Sequence, residues 1–298
     1  MGRRGTRAAI AVLWVSSLVI GATSAAAHPA AGPSIHSGKH VPMCHGHPAD
    51  IVGTKHRDNI LASGEQVVVA RGGNDYIHGA GSFICAGRGD DRVVESEGTA
   101  SAVQTIYGGR GDDRLMGGGK DDRLDGGAGN DVLDGGTSND ILFGGAGRDI
   151  ERGGAHRSGV AGNNDTGDEF YVDPGHDRLV GGEPTAAGLS LDTIVFDWGP
   201  RATAKASGAT VNLRTGLAVS AYSGHDTLKN ITGVDGTPYA DVITGSRRPN
   251  LIYGQGGDDR IKGLRGDDTL YGGDGHDRIN GGNGSDQCVG EHVSHCEM

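Results

Sequence analysis

A ruler of nine residues constrains this chain more than any other feature. From Gly108 it reads GGRGDDRLM, GGGKDDRLD, GGAGNDVLD, GGTSNDILF and GGAGRDIER, five units without a gap that end at Arg152. A second gapless run of six starts at Gly236: GTPYADVIT, GSRRPNLIY, GQGGDDRIK, GLRGDDTLY, GGDGHDRIN and GGNGSDQCV. The sixth position holds Asp113, Asp122, Asp131, Asp140 and Asp149, then Asp241, Asn250, Asp259, Asp268, Asp277 and Asp286. The eighth is aliphatic in nearly every unit, the exceptions being Glu151 and Cys288. Two weaker units, ARGGNDYIH from Ala70 and AGRGDDRVV from Ala86, stand nearer the N-terminus, and the register slips by deletion between them.

Such a period excludes the helix as the repeating element. Nine is not a multiple of 3.6, and every full unit carries helix-breaking glycine. Positions 7 to 9 run outward, inward, outward, which is a three-residue strand with one buried face. Positions 1 to 6 are turn chemistry. Two units then make an 18-residue coil with a strand on each side, and coils stack at ~4.8 Å, the spacing of paired strands. The predicted fold is all-β, a parallel β-roll (β-solenoid) in two main arrays with an irregular β insert. With 57 glycines against 4 Phe and 2 Trp, the composition alone would also suit a flexible linker. Against that reading stands the strict aliphatic spacing, which a linker has no reason to keep, although disorder in the absence of a ligand stays open. Glycine in regular structure costs roughly 0.5–1 kcal/mol relative to alanine, so the fold needs an added source of stability.

Stacking also lines up carboxylates. Asp113 should lie over Asp131, Asp131 over Asp149, and Asp122 over Asp140 on the other side. Two bare carboxylates ~5 Å apart repel by about 3 kcal/mol at an effective dielectric near 20. A cation between the turns reverses that sign. Calcium takes six to eight oxygens at roughly 2.3–2.6 Å in flexible geometry, which paired aspartates and turn carbonyls can supply. Magnesium wants a smaller octahedron and keeps its water, and soft metals want thiolate or imidazole, which position 6 lacks. The predicted calcium ligands are Asp113, Asp122, Asp131, Asp140, Asp149, Asp259, Asp268, Asp277 and Asp286. Asn250 should weaken the site it shares with Asp268. Lys120 and Ser138 replace the fourth glycine and should strain their turns, and Glu151 is read as the end of the first stack.

GGAGNDVLD, Gly126 to Asp134, fits the G-G-x-G-x-D-x-U-x unit of RTX proteins, and the chain resembles these hemolysin-type calcium-binding repeat proteins. The resemblance implies a parallel β-roll with calcium held between neighbouring turns. It extends to the exported bacterial type, through CHGHPADIVGT from Cys44, the cysteine-bearing CVGEHVSHCE at the C-terminus, and Ser207 to Gly245, which is similar to stretches between RTX arrays.

Residues 1–27 read as a signal peptide, with Arg3, Arg4 and Arg7, an apolar core, and Ala25-Ala26-Ala27 as the cleavage site. Its apolar run is too short for a membrane span. Cleavage would leave 24 Lys and Arg against 38 Asp and Glu, moving the net charge from −11 to −14. That balance disfavours nucleic acid and anionic lipid as partners. Four cysteines in an exported chain suggest two disulfides in one of three pairings; proximity favours Cys288–Cys296, leaving Cys44–Cys85. The organisation expected is a signal peptide over 1–27, a His-containing leader over 28–43 and degenerate repeats over 44–107. The first array follows over 108–155, the irregular segment over 156–235, and the second array with its cysteine cap over 236–298.

Other candidates carry less. Six of the 13 histidines fall between His28 and His56, expected as a solvated leader rather than a transition-metal tail. Arginines at outward position 7 are expected to balance neighbouring aspartates. Neither an H-E-x-x-H helix nor a G-x-S-x-G elbow is present, and Asp165, Asp168, Glu169 and Asp173 are paired acids in an acidic chain, so no enzymatic activity is expected. The reading is a secreted calcium-binding protein whose β-roll folds on Ca2+. The alternative is an extracellular adhesin or matrix component that binds a glycan or protein and uses calcium only as a stiffener.

Overall fold

The computed structural model describes residues 41–64, 66–79, 83–95, 103–155, 167–182, 191–196 and 207–297. The predicted signal peptide, His28, His36, His40 and Asp165 lie outside them. The described residues form a parallel β-solenoid without helices. Alternate strands feed two sheets: one of 14 strands from Asn59–Ala62 to His292–Ser294, the other of 12 from Ile51–Val52 to Gln287–Val289.

Register follows the 18-residue coil. Arg114, Leu115 and Met116 pair with Val132, Leu133 and Asp134, which pair in turn with Ile150, Glu151 and Arg152. The eighth positions meet inside: Leu115, Leu124, Leu133, Leu142, Ile252 and Leu270 are fully buried. They form one continuous apolar core with Ile77, Ile106, Phe170, Ile194 and Ile279. In the first array the strands are six residues long rather than the three expected, as in Arg114–Gly119 and Val132–Thr137. Pairing runs on into the next unit's glycines, Gly118 with Gly136 and Gly127 with Gly145. That continuation needs glycine: Gly127 takes φ 102°, and a Cβ there would overlap the carbonyl oxygen of Gly109 in the coil below.

The stretch between the arrays continues both stacks. Ile141–Ala146 pairs with Glu169–Tyr171, then Thr193–Val195, then Gly233–Asp235. On the other sheet Ile150–Ala155 pairs with Arg178–Val180, so Glu151 does not end the first stack: it lies between Leu133 and Leu179, buried. An antiparallel meander, Thr210–Asn212, Leu217–Ser220 and Gly224–Lys229, then carries that sheet to Val242–Thr244. Disulfides sit near both ends, Cys44–Cys85 and Cys288–Cys296. His45 and His47, expected in solvent, are exposed yet stacked on Tyr107 and Phe83 at 3.7 and 3.8 Å between ring centres.

Candidate metal centre

Each G-G-x-G-x-D turn places its aspartate in the same way. The sixth residue enters the coil just before the strand, and its Oδ1 accepts the backbone N–H of the sixth residue one coil earlier. Asp113 N–H donates to Asp131 Oδ1 at 2.7 Å, Asp131 N–H to Asp149 at 2.7 Å, and Asp122 N–H to Asp140 at 2.9 Å. The second array repeats this with Asp259 N–H on Asp277 and Asp268 N–H on Asp286, both at 3.0 Å. The other oxygen, Oδ2, folds back over the first glycine of its own unit. A Cβ on Gly126 would stand 2.6 Å from Asp131 Oδ2, and one on Gly117 2.7 Å from Asp122 Oδ2. The first glycine is therefore the floor of a small polar recess.

All nine predicted aspartates are buried, and in every one Oδ2 is a buried atom with no hydrogen-bond partner in the protein. Leaving a buried acceptor unpaired costs about 1–3 kcal/mol, more if it is charged. Without a cation eight of these carboxyl groups hold their protons more tightly than an ordinary aspartate does. Burial pushes Asp113 up to about 8, Asp131 to about 7 and Asp140 to about 9, against the single backbone N–H each accepts; neighbouring carboxylates push the same way. Asp122 and Asp259 rise to about 7 and Asp268 to about 6, again chiefly by burial. Asp149 and Asp277 rise as well.

The columns are longer than the gapless runs. One passes from Asp58 through Asp75, Asp91, Asp113, Asp131, Asp149 and Asp177 to Asp226 by the same N–H to Oδ1 link. The opposite one passes from Asp122 through Asp140 and Asp168 to Asp192. Asp168, read in the sequence as a weak acid pair member, is a column residue. Sequence reasoning missed these members because inserted residues break the period: the separation is 28 residues from Asp149 to Asp177 and 49 from Asp177 to Asp226. Their signal was the local pattern, an acid two residues before a buried aliphatic, as in Asp177 and Leu179.

A further ladder runs along position 5, which sequence reasoning did not single out. Asn130 N–H donates to Asp112 Oδ1 at 2.8 Å, Arg148 N–H to Asn130 Oδ1 at 3.1 Å, and His276 N–H to Asp258 Oδ1 at 3.1 Å. The recurrent Asp or Asn before the sixth residue was its mark. Two of the outward arginines lie over aromatic faces: Arg123 is 4.0 Å from the centre of the Phe143 ring and Arg92 5.8 Å from that of Tyr76. Of the two replacements at the fourth glycine, Ser138 takes φ 98° and Lys120 avoids the left-handed region.

The family model for the RTX calcium-binding nonapeptide repeat matches residues 62–82, 105–119, 116–151, 235–264 and 253–288. This chain carries RTX calcium-binding repeats. The matched segments hold all nine predicted aspartates, whereas Asp58, Asp91, Asp168, Asp177, Asp192 and Asp226 continue the columns outside them. The donor set agrees with the family's ion: carboxylate oxygen, glycine carbonyls and no sulfur or imidazole at position 6. The orphaned Oδ2 atoms are where a hard cation would be held by an RTX turn, its charge replacing the protons that burial otherwise keeps on the carboxyl groups. Comparison with curated proteins gives no match. Among the described residues no helix is long and apolar enough to cross a membrane.

Proposed function

We propose that this RTX protein is an exported, non-enzymatic calcium binder whose β-roll folds as its aspartate columns fill outside the cell. One observation carries the reading: nine aspartates in register, in segments matched to a calcium-binding repeat, each keep a buried oxygen that no protein group satisfies. Each unit gives the core a single inward apolar residue, two per coil, so little apolar burial is set against the desolvated acids. A ligand that binds only the folded state stabilises it by about 2.7 kcal/mol at a hundred times its dissociation constant, and the gain recurs at each site. Asp113, Asp131 and Asp149 would hold ions on one side of the roll, Asp122 and Asp140 on the other, with Asp259, Asp268, Asp277 and Asp286 in the second array. Export is supported by the pairing of all four cysteines, which needs an oxidising compartment.

Far-UV circular dichroism of residues 28–298 during a calcium titration, with magnesium in parallel, tests this reading. A calcium-specific gain of β signal is expected at about 10⁻⁴–10⁻³ M, the usual range of extracellular calcium modules. A spectrum already rich in β structure in chelator, and unmoved by calcium, would sink the proposal.

The adhesin alternative has one observation in its favour. Outward rings at position 9 stack in register, Phe143 on Tyr171 at 4.3 Å and Tyr253 on Tyr271 at 4.9 Å. They give one sheet two short aromatic ladders of the kind that pack on sugar rings. Retention of the calcium-loaded protein on immobilised glycans, lost on Tyr253→Ala with Tyr271→Ala, would favour it over the simpler reading.

A further inference from the structure

Two residues depart from the repeat at neighbouring levels of the first stack. Position 8 is the buried aliphatic position, yet Glu151 occupies it, flanked in register by Leu133 and Leu179. Position 2 is glycine in all five units of the first array. In the unit from Val172 to Val180, which has Asp177 sixth and Leu179 eighth, position 2 is Asp173. Either change alone is unfavourable, since a buried carboxylate without a partner is costly. Here the two meet.

Asp173 Oδ2 accepts the N–H of Gly145 at 2.5 Å, which turns Asp173 toward the coil that contains Glu151. Its Oδ1 is buried and unpartnered, and so is Glu151 Oε2 on a side chain only 1% exposed. A Cβ on Gly144 would stand 2.8 Å from Glu151 Oε1 and 2.8 Å from Asp149 Oδ2, so those two oxygens converge above the same glycine. Carboxylate oxygens of Asp149, Asp173 and Asp177 all lie within 4.8 Å of one another.

We infer that Glu151 and Asp173, together with Asp149 and Asp177, form one additional divalent-cation site that the nonapeptide repeat does not encode. The site reaches into the core, because one of its ligands replaces a core leucine. Four carboxylates give a hard, oxygen-only donor set, which suits calcium and gives no soft ligand to zinc or copper. Glu151 also acquires a reason to be buried: with a cation it closes a cluster, whereas without one it is a charge among leucines. The inference rests on the calcium reading above for the identity of the ion and goes beyond it in Glu151 and Asp173, which the repeat does not supply.

Calcium equivalents bound per chain, measured by equilibrium dialysis with atomic emission, test this on residues 28–298. Glu151→Leu and Asp173→Gly each restore the repeat's own residue. Each is expected to lose one equivalent, and the double variant the same one rather than two. Dichroism in saturating calcium should stay at the wild-type value for all three. In chelator, Glu151→Leu should melt higher than wild type, since it removes a buried acid. Unchanged calcium content in the double variant overturns the inference and leaves the function proposed above standing. Loss of a separate equivalent from each single variant overturns it too, as does a lower melting temperature of Glu151→Leu in chelator. Absence of calcium binding by the wild type would instead defeat the broader reading.

Discussion

Two kinds of turn close the coils of this protein, and they differ in what satisfies the sixth residue. In Gly53–Asp58, Gly236–Asp241 and Gly245–Asn250 the second residue is Thr or Ser, and it turns back on the sixth. Thr237 donates its N–H to Asp241 Oδ2 at 2.7 Å and its hydroxyl to Oδ1 at 2.8 Å; Thr54 does the same for Asp58 at 2.6 and 3.2 Å. Ser246 gives its N–H to Asn250 Oδ1 at 2.7 Å, and the Asn250 amide donates to the Thr232 carbonyl at 3.0 Å. In the G-G-x-G-x-D turns a glycine holds the second place, as Gly127 does with φ 102°. In the turns of Asp259 and Asp268 that place is Gln255 or Leu264, at φ 75° and 82°, and in all of these turns Oδ2 is left without a partner. Thr54, Thr237 and Ser246 stay out of that left-handed region, and their N–H groups reach the carboxyl or amide group instead. The fold thus contains its own control: a coil can close with protein donors alone where the sequence supplies a hydroxyl. The glycine turns omit the donor and leave room for an ion.

The largest expected effect that separates the two kinds is that of pH. Asp113, Asp131, Asp140 and Asp259 have folded values of about 7 to about 9 without metal, above an unfolded value of ~3.9. The folded chain then binds more protons than the unfolded one, so metal-free stability is greatest at low pH and falls as pH rises from about 4 through about 9. Calcium competes with those protons, so calcium affinity should change in the opposite sense and strengthen with rising pH. Thermal melts at pH 5 and pH 8, in chelator and in calcium, should cross. Parallel curves would mean that the columns are not what calcium and protons share.

Next in size, Thr237→Gly converts a self-satisfied turn into a glycine turn. It removes a hydroxyl that donates to a buried carboxylate, a bond of about 1.5–3 kcal/mol, and urea titration in chelator should register that loss. Calcium should recover part of it; an equal loss with and without calcium would break the comparison. Asp131→Asn acts in the opposite sense, taking one charge from the column. In chelator at a pH above its folded value of about 7 it should stabilise by about 1 kcal/mol through reduced like-charge repulsion, and in calcium it should destabilise by losing a ligand. The same sign in both conditions would contradict the account. The smallest effect belongs to Ser138→Gly, which relieves a φ of 98° and should add about 1 kcal/mol with or without calcium.

Much of this was legible in the sequence wherever the period of nine was kept. Asp113 to Asp149 and Asp259 to Asp286 stand in register because their units are gapless, and the inward leucines followed from the same count. Strand length was not legible: glycines read as turn residues, yet Gly118 and Gly136 join the ladder because bare backbones pack where a Cβ would collide. Glu151 read as a terminus, since a lone acid in a leucine column has no local explanation. Asp173, the acid that faces the same cluster, lies 22 residues on, past an insertion that breaks the count of nine. The hydroxyl turns were written in the letters as G-[ST]-x-x-x-[DN], but only the hydrogen bonds show that they do the work of an ion.

Hydrogen exchange of backbone amides, compared in calcium and in chelator, reaches the central claim most directly. The account predicts that calcium raises protection chiefly at residues 108–149 and 254–286, and much less at 53–58 and 236–250, where hydroxyl groups already satisfy the turns. Full protection of 108–149 in chelator, or an equal calcium increment at both kinds of turn, would contradict it.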